Sequence, residues 1–74
     1  MENKVIDLLK KVFPKDQDSI TPETSSQNLA SWDSLKQMKI VLLLEEEFAV
    51  EVPDDLVAEL TSVELILEFL NENA

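Results

Sequence analysis

The chain contains no glycine in 74 residues, and that absence limits its fold more than any other feature. Tight hairpins draw on glycine to reach positive φ, so a sheet built from short hairpins is disfavoured. Helices need no such residue, and apolar side chains recur at helical spacing through most of the sequence. Cysteine and histidine are also absent, which removes disulfides and the thiolate and imidazole ligands of the usual zinc sites. A chain this short lies near the lower limit for folding alone. Its stability must come from aliphatic packing between helices, in a single domain over residues 1–74. Running from Met1 to a polar Asn71-Glu72-Asn73-Ala74 tail, it reads as a whole product rather than a piece cut from a larger synthase.

In the first segment Val5, Ile6, Leu8, Leu9, Val12 and Phe13 share one side of a helix, with Lys4, Asp7, Lys10 and Lys11 on the other. Pro14 ends it. Residues 14 to 33 form a long polar connection, with Ile20 and Leu29 as its expected anchors to the core. A second helix is predicted from Ser34 to about Phe48, and a short third from Asp54 to Leu60, after Pro53. The fourth is expected to begin at Thr61 with a capping box, Thr61-Ser62-Val63-Glu64, and to keep Val63, Ile66, Leu67 and Leu70 on one side. The sequence thus predicts an all-α fold, a small four-helix bundle of three longer helices and one short one.

The net charge of −10 argues against nucleic acid and anionic membranes as partners, since both are bound through lysine and arginine patches. Partners with basic docking surfaces suit it better. Val5 to Phe13 is too short, and too interrupted by Asp7, Lys10 and Lys11, for a signal core or a membrane span. The reading is therefore of a soluble, cytoplasmic monomer with no membrane role. Glu45, Glu46, Glu47, Glu51, Asp54 and Asp55 crowd the end of the second helix and the start of the third. No EF-hand loop accompanies them, so they read as a solvated, mutually repelling surface and no metal site is assigned.

The second helix is apolar on two sides. With each residue about 100° after the last, Ile40, Val41, Leu44 and Phe48 make a stripe for the core. Leu35, Met38 and Leu42 make another, pointing roughly the opposite way and rimmed by Lys39, Glu45 and Glu46. Such a charged rim marks a docking patch. Ser34 opens this helix, and Ser34-Leu35-Lys36-Gln37 satisfies a capping-box pattern that makes Ser34 its N-cap. A helix start is also where free amides and the macrodipole favour an anion such as a phosphodiester. Ser34 is not a catalytic nucleophile on this reading. The chain offers no histidine as base, and Lys36 is two residues on, where side chains do not face each other.

Asp33-Ser34-Leu35 resembles the D-S-L motif of the acyl carrier protein family. Leu44-Glu45-Glu46-Glu47-Phe48 is similar to that family's L-E-E-E-F, Val52-Pro53-Asp54 to its I-P-D, and Thr61-Ser62-Val63 to its T-T-V. The four pieces stand in register without a gap, and the likeness runs from Leu29 to Leu70. The resemblance implies a non-enzyme that carries an acyl or aminoacyl thioester on a 4′-phosphopantetheine arm. A phosphopantetheinyl transferase would move that arm from coenzyme A to Ser34 with magnesium. Asp33, Leu35, Met38 and Leu42 match the family's recognition helix. Lys36, Lys39, Glu45 and Glu46 complete the set expected to meet the transferase and the acyl- or aminoacyl-loading and processing enzymes.

Three departures from the family pattern bear on cargo. Ser31 replaces a common glycine, and Trp32 precedes Asp33, giving a W-D-S-L that resembles carriers of dedicated pathways. Lys36 and Lys39 stand at positions that are commonly acidic. Leu43, Leu65 and Ile66 replace residues that are often alanine, and their bulk is expected to fill the space of a long acyl chain. Together these point to a short or polar cargo in a dedicated biosynthetic pathway. The competing readings are a general fatty-acid carrier and, in a different class, an unmodified acidic helical adaptor with Ser34 only as a cap.

Overall fold

A computed structural model describes residues 1–73. The elements run α1 (Glu2–Val12), a single 3₁₀ turn (Gln17–Ser19), α2 (Ser34–Phe48), α3 (Asp54–Val57) and α4 (Val63–Asn73). The fold is all-α, as the sequence predicts. None of the described helices is long and apolar enough to cross a membrane.

Helix α1 forms because its apolar residues share one face, and Val5, Leu8, Leu9 and Val12 are buried from it. Glu2 in the first turn and Lys10 and Lys11 in the last complement its dipole. Phe13 closes it, its N–H donating to the Leu9 carbonyl at 2.9 Å, and Pro14 cannot continue it. From α2, Ile40, Val41 and Leu44 enter the core. From α4, Val63, Ile66, Phe69 and Leu70 do so. Phe69 lies off the stripe that the spacing picks out, and widens it.

The long connection is held at both anchors, since Ile20 and Leu29 are buried. Buried Thr24 organises the rest: its Oγ1 accepts from the Thr21 N–H at 2.8 Å and donates to the Ser19 carbonyl at 3.1 Å. The connection is also pinned to the entrance of α4. Ser26 N–H donates to Thr61 O at 2.8 Å, and Val63 N–H to Thr24 O at 3.0 Å, around an isolated antiparallel bridge between Ser25 and Ser62. Many of its backbone N–H groups thus find partners without a strand or a glycine turn.

Three local expectations change. The cap of α4 is Ser62 rather than Thr61: Ser62 Oγ accepts from the Leu65 N–H at 3.0 Å. Thr61 is drawn into the bridge by Ser26 and stays outside the helix. Helix α3 stops at Val57 instead of Leu60, as the Glu59 N–H turns back only three residues, to Leu56 O at 2.9 Å, and tightens the chain out of α-helical spacing. Leu65 does not fill the interior. It is 41% exposed, since the inward side of α4 is taken by Val63, Ile66, Phe69 and Leu70. Of the three bulky residues, Ile66 is fully buried and Leu43 half-buried against the core.

Candidate functional site

The site begins at the entrance of α2. The N-cap is Asp33, not Ser34, which corrects the cap assignment made from pattern alone. Asp33 has an extended backbone, φ −115° and ψ −174°, and its carboxylate accepts from the Lys36 N–H at 2.9 Å. Its carbonyl accepts from the Gln37 N–H at 2.9 Å. A cap at Asp33 suits both residues, because aspartate is as good a cap as serine and its charge lies at the positive end of the dipole. Ser34 then becomes the first helical residue. It is exposed, and its hydroxyl is relieved of capping.

Beside Ser34 lies a cleft of about 510 Å³ between α2 and the α3–α4 segment. Trp32, Asp33, Ser34, Gln37 and Met38 line one wall, with Val57, Ala58 and Thr61 opposite. An exposed primary alcohol at the start of a 15-residue helix, next to a cleft of mixed polarity, is a chemically suitable point for a phosphodiester-linked arm.

The second apolar side of α2 is open to solvent. Leu35 is 77% exposed, Met38 50% and Leu42 59%. Lys39 and Glu46 are exposed beside them. Asp33, Ser34, Leu35, Met38, Lys39, Leu42 and Glu46 therefore lie together at the surface. Two other residues expected in this set are turned to structural work. Lys36 is half-buried, its Nζ donating to the Val12 carbonyl at 3.3 Å and lying 6.0 Å from the Phe13 ring centroid. It closes the C-terminal end of α1. Glu45 is half-buried, and its Oε2 accepts from the Val52 N–H at 2.9 Å. It fixes the α2–α3 connection. The positive charge left on this face of α2 is that of Lys39.

Pattern reading gives Gln37 only the far end of a capping box. In the fold it is buried and bonded on both sides: Oε1 accepts from the Trp32 indole N–H at 2.6 Å, and Nε2 donates to the carbonyls of Val57 and Leu60. The signal was present, since Gln37 is a polar residue in register with Ile40, Val41 and Leu44. Trp32, read only as a departure from the family motif, is buried and packs on Phe13 with ring centroids 5.7 Å apart.

A family model described as a phosphopantetheine attachment site matches residues 3–70. The chain is 33% identical over 73 residues to an acyl carrier protein of Syntrophobacter fumaroxidans, covering 99% of this chain and 90% of that protein. It is 32% identical over 68 residues to acyl carrier protein 2, mitochondrial, of Arabidopsis thaliana, covering 92% of this chain. It is 43% identical over 53 residues to an acyl carrier protein of Lactobacillus acidophilus, covering 72% of this chain. The matched stretches span 54% of the plant protein and 66% of the Lactobacillus one.

Proposed function

The chain belongs to the phosphopantetheine-bearing acyl carrier proteins, and from that premise we propose that Ser34 carries the arm and that the protein presents a short or polar acyl or aminoacyl group to the enzymes of a dedicated pathway. The observation that carries this reading is the entrance of α2. Asp33 takes the capping bond and leaves the Ser34 hydroxyl exposed, one residue before the solvent-facing Leu35. When attached, the arm supplies a thiol for thioester formation, which a chain without cysteine cannot.

The chain's own residues hold and present. Asp33 fixes the start of α2 and so the position of Ser34. The amides of the first turn and the helix dipole stabilise the charge of a phosphodiester there. Leu35, Met38 and Leu42 give a partner an apolar surface to cover, and Lys39 gives that partner a positive charge to recognise. Nothing in the chain activates Ser34, because there is no histidine and the Lys36 ammonium is held at Val12 O. The base must come from the transferase. On this reading the protein is a carrier and not an enzyme.

A general role in fatty-acid synthesis is the second reading. The exposure of Leu65 favours it, since one of the three bulky residues does not occupy the interior. Purified fatty-acid synthase enzymes and a panel of adenylating enzymes, each offered the arm-bearing form, separate the two. The dedicated reading predicts that malonyl loading and elongation are at least about tenfold slower than on a fatty-acid carrier, a barrier of about 1.4 kcal/mol. Equal rates would overturn it.

A further inference from the structure

Thr24 and Gln37 are the buried polar side chains among the described residues. The side-chain bonds of Thr24 stay within its own loop, whereas Gln37 joins three separate segments. It is 8% exposed. Its Oε1 accepts from the Trp32 indole N–H at 2.6 Å, and its Nε2 donates to Val57 O at 2.8 Å and Leu60 O at 2.9 Å. Both amide donors and one acceptor position are thereby used.

The Val57 carbonyl ends α3 and the Leu60 carbonyl lies in the turn after it; α3 is a helix of four residues with no buried side chain. A single turn of that kind does not persist unaided, because nucleation costs more than one turn returns. Leu56 and Val57 give it a partly buried apolar edge, and the Gln37 amide attaches its last turn to α2. Trp32, Gln37 and Val57 also line the cleft beside Ser34. Ile40, Leu60 and Val63, which are fully or almost fully buried, belong to the core. A group entering that core from Ser34 between α2 and α3 must part the amide from its partners. The indole N–H, the amide and the Leu60 carbonyl, whose bonds are buried, would then lose their partners, as would the half-buried Val57 carbonyl.

We propose that Gln37, oriented by Trp32, is a specificity-determining bolt that holds α3 against α2 and keeps acyl chains of more than a few carbons out of the core. For its cargo this rests on the attachment of the arm at Ser34; for the closed state of α3 it does not. The bolt selects by exclusion. A small or polar group stays at the mouth of the cleft, within reach of a docked enzyme, and a long alkyl chain gains no shelter.

The test compares the wild-type chain with Gln37→Glu, which keeps the size of the side chain and an acceptor for the indole but turns an oxygen toward the two carbonyls. In the unmodified proteins, amide hydrogen exchange over residues 54–60 is expected to be at least about tenfold faster in the variant, with α1 and α4 unchanged. Both proteins are then loaded from acetyl- and octanoyl-coenzyme A by a broad-specificity transferase. In wild type the methyl NMR shifts of Ile40, Val63 and Ile66 should be the same with either cargo. In Gln37→Glu they should move with octanoyl only. Core shifts that respond to octanoyl in wild type overturn the proposal, and so does unchanged exchange over 54–60 in the variant. A variant that loosens α3 yet still excludes octanoyl reduces Gln37 to a structural part and overturns the specificity role. If Gln37→Glu does not fold, the wild-type acetyl and octanoyl comparison decides alone. Failure of Ser34 to accept the arm would count against the attachment reading, and the exchange measurement would still judge the bolt.

Discussion

Replacing Ala49 with glycine should stabilise this protein, although the chain uses glycine nowhere. Helix α2 ends at Ala49 with φ 52° and ψ 42°, and Ala49 is the positive-φ residue among those described. For an L-residue with a Cβ that conformation costs about 1–2 kcal/mol, which glycine avoids at this helix end. Glycine returns about 0.4–1 kcal/mol of that gain through the greater freedom of the unfolded chain. At the midpoints of these ranges a net stabilisation of about 0.8 kcal/mol remains, equivalent to a rise in Tm of about 3–6 °C for a domain of this size. Thermal unfolding followed by circular dichroism, with urea titrations for the free energy, measures it. Ala58→Gly is the control, because Ala58 is also exposed but has φ −85° and ψ −7°. There glycine brings only its entropic cost, and Tm should fall. The reasoning is refuted if the two substitutions shift stability in the same direction.

Asp33→Ala should lower Tm by about 4–8 °C, the loss of a helix cap worth about 1 kcal/mol. Ser34→Ala should change it by less than about 2 °C; a larger fall would return the cap to Ser34. Leu35→Glu should slow modification of Ser34 by a transferase by about tenfold or more without changing Tm, as expected of a docking residue with 77% of its surface exposed. A normal rate would remove Leu35 from the docking face. The acids around the α2–α3 connection repel one another by about 0.2–0.5 kcal/mol per close pair. Added salt or magnesium should therefore raise Tm by a few degrees, roughly 4–8 °C per kcal/mol relieved. A melting temperature indifferent to both would show the repulsion to be negligible.

What could be read from the sequence was local and periodic. The end of α1 follows from Pro14, and the span of α2 from the run of apolar positions. The two faces of α2 separate on a helical wheel because one side chain set must be buried and the other need not be. Ile20 and Leu29 stand out as the aliphatic residues flanking a polar stretch. The caps were harder, because serine, threonine and aspartate all fit the position and neighbours compete for it. Asp33 displaced Ser34, and Ser62 displaced Thr61, each by one residue. The remaining features depend on partners far along the chain. Gln37 meets carbonyls 20 and 23 residues away, and Lys36 meets one 24 residues away. No local pattern encodes such pairings. A polar residue in core register could have announced Gln37 as bonded, though not to what. For Lys36, the commonly acidic character of its position in the family suggested a change in the docking charge. The structure uses that lysine to close α1 instead.

The central claim is that the hydroxyl of Ser34 bears the arm, and intact-protein mass spectrometry tests it most directly. The purified chain is incubated with coenzyme A, magnesium and a broad-specificity phosphopantetheinyl transferase, and then weighed beside Ser34→Ala treated in the same way. The account predicts a gain of one phosphopantetheine in the wild-type chain and none in the variant. No gain in the wild type, or a gain that survives Ser34→Ala, would contradict it.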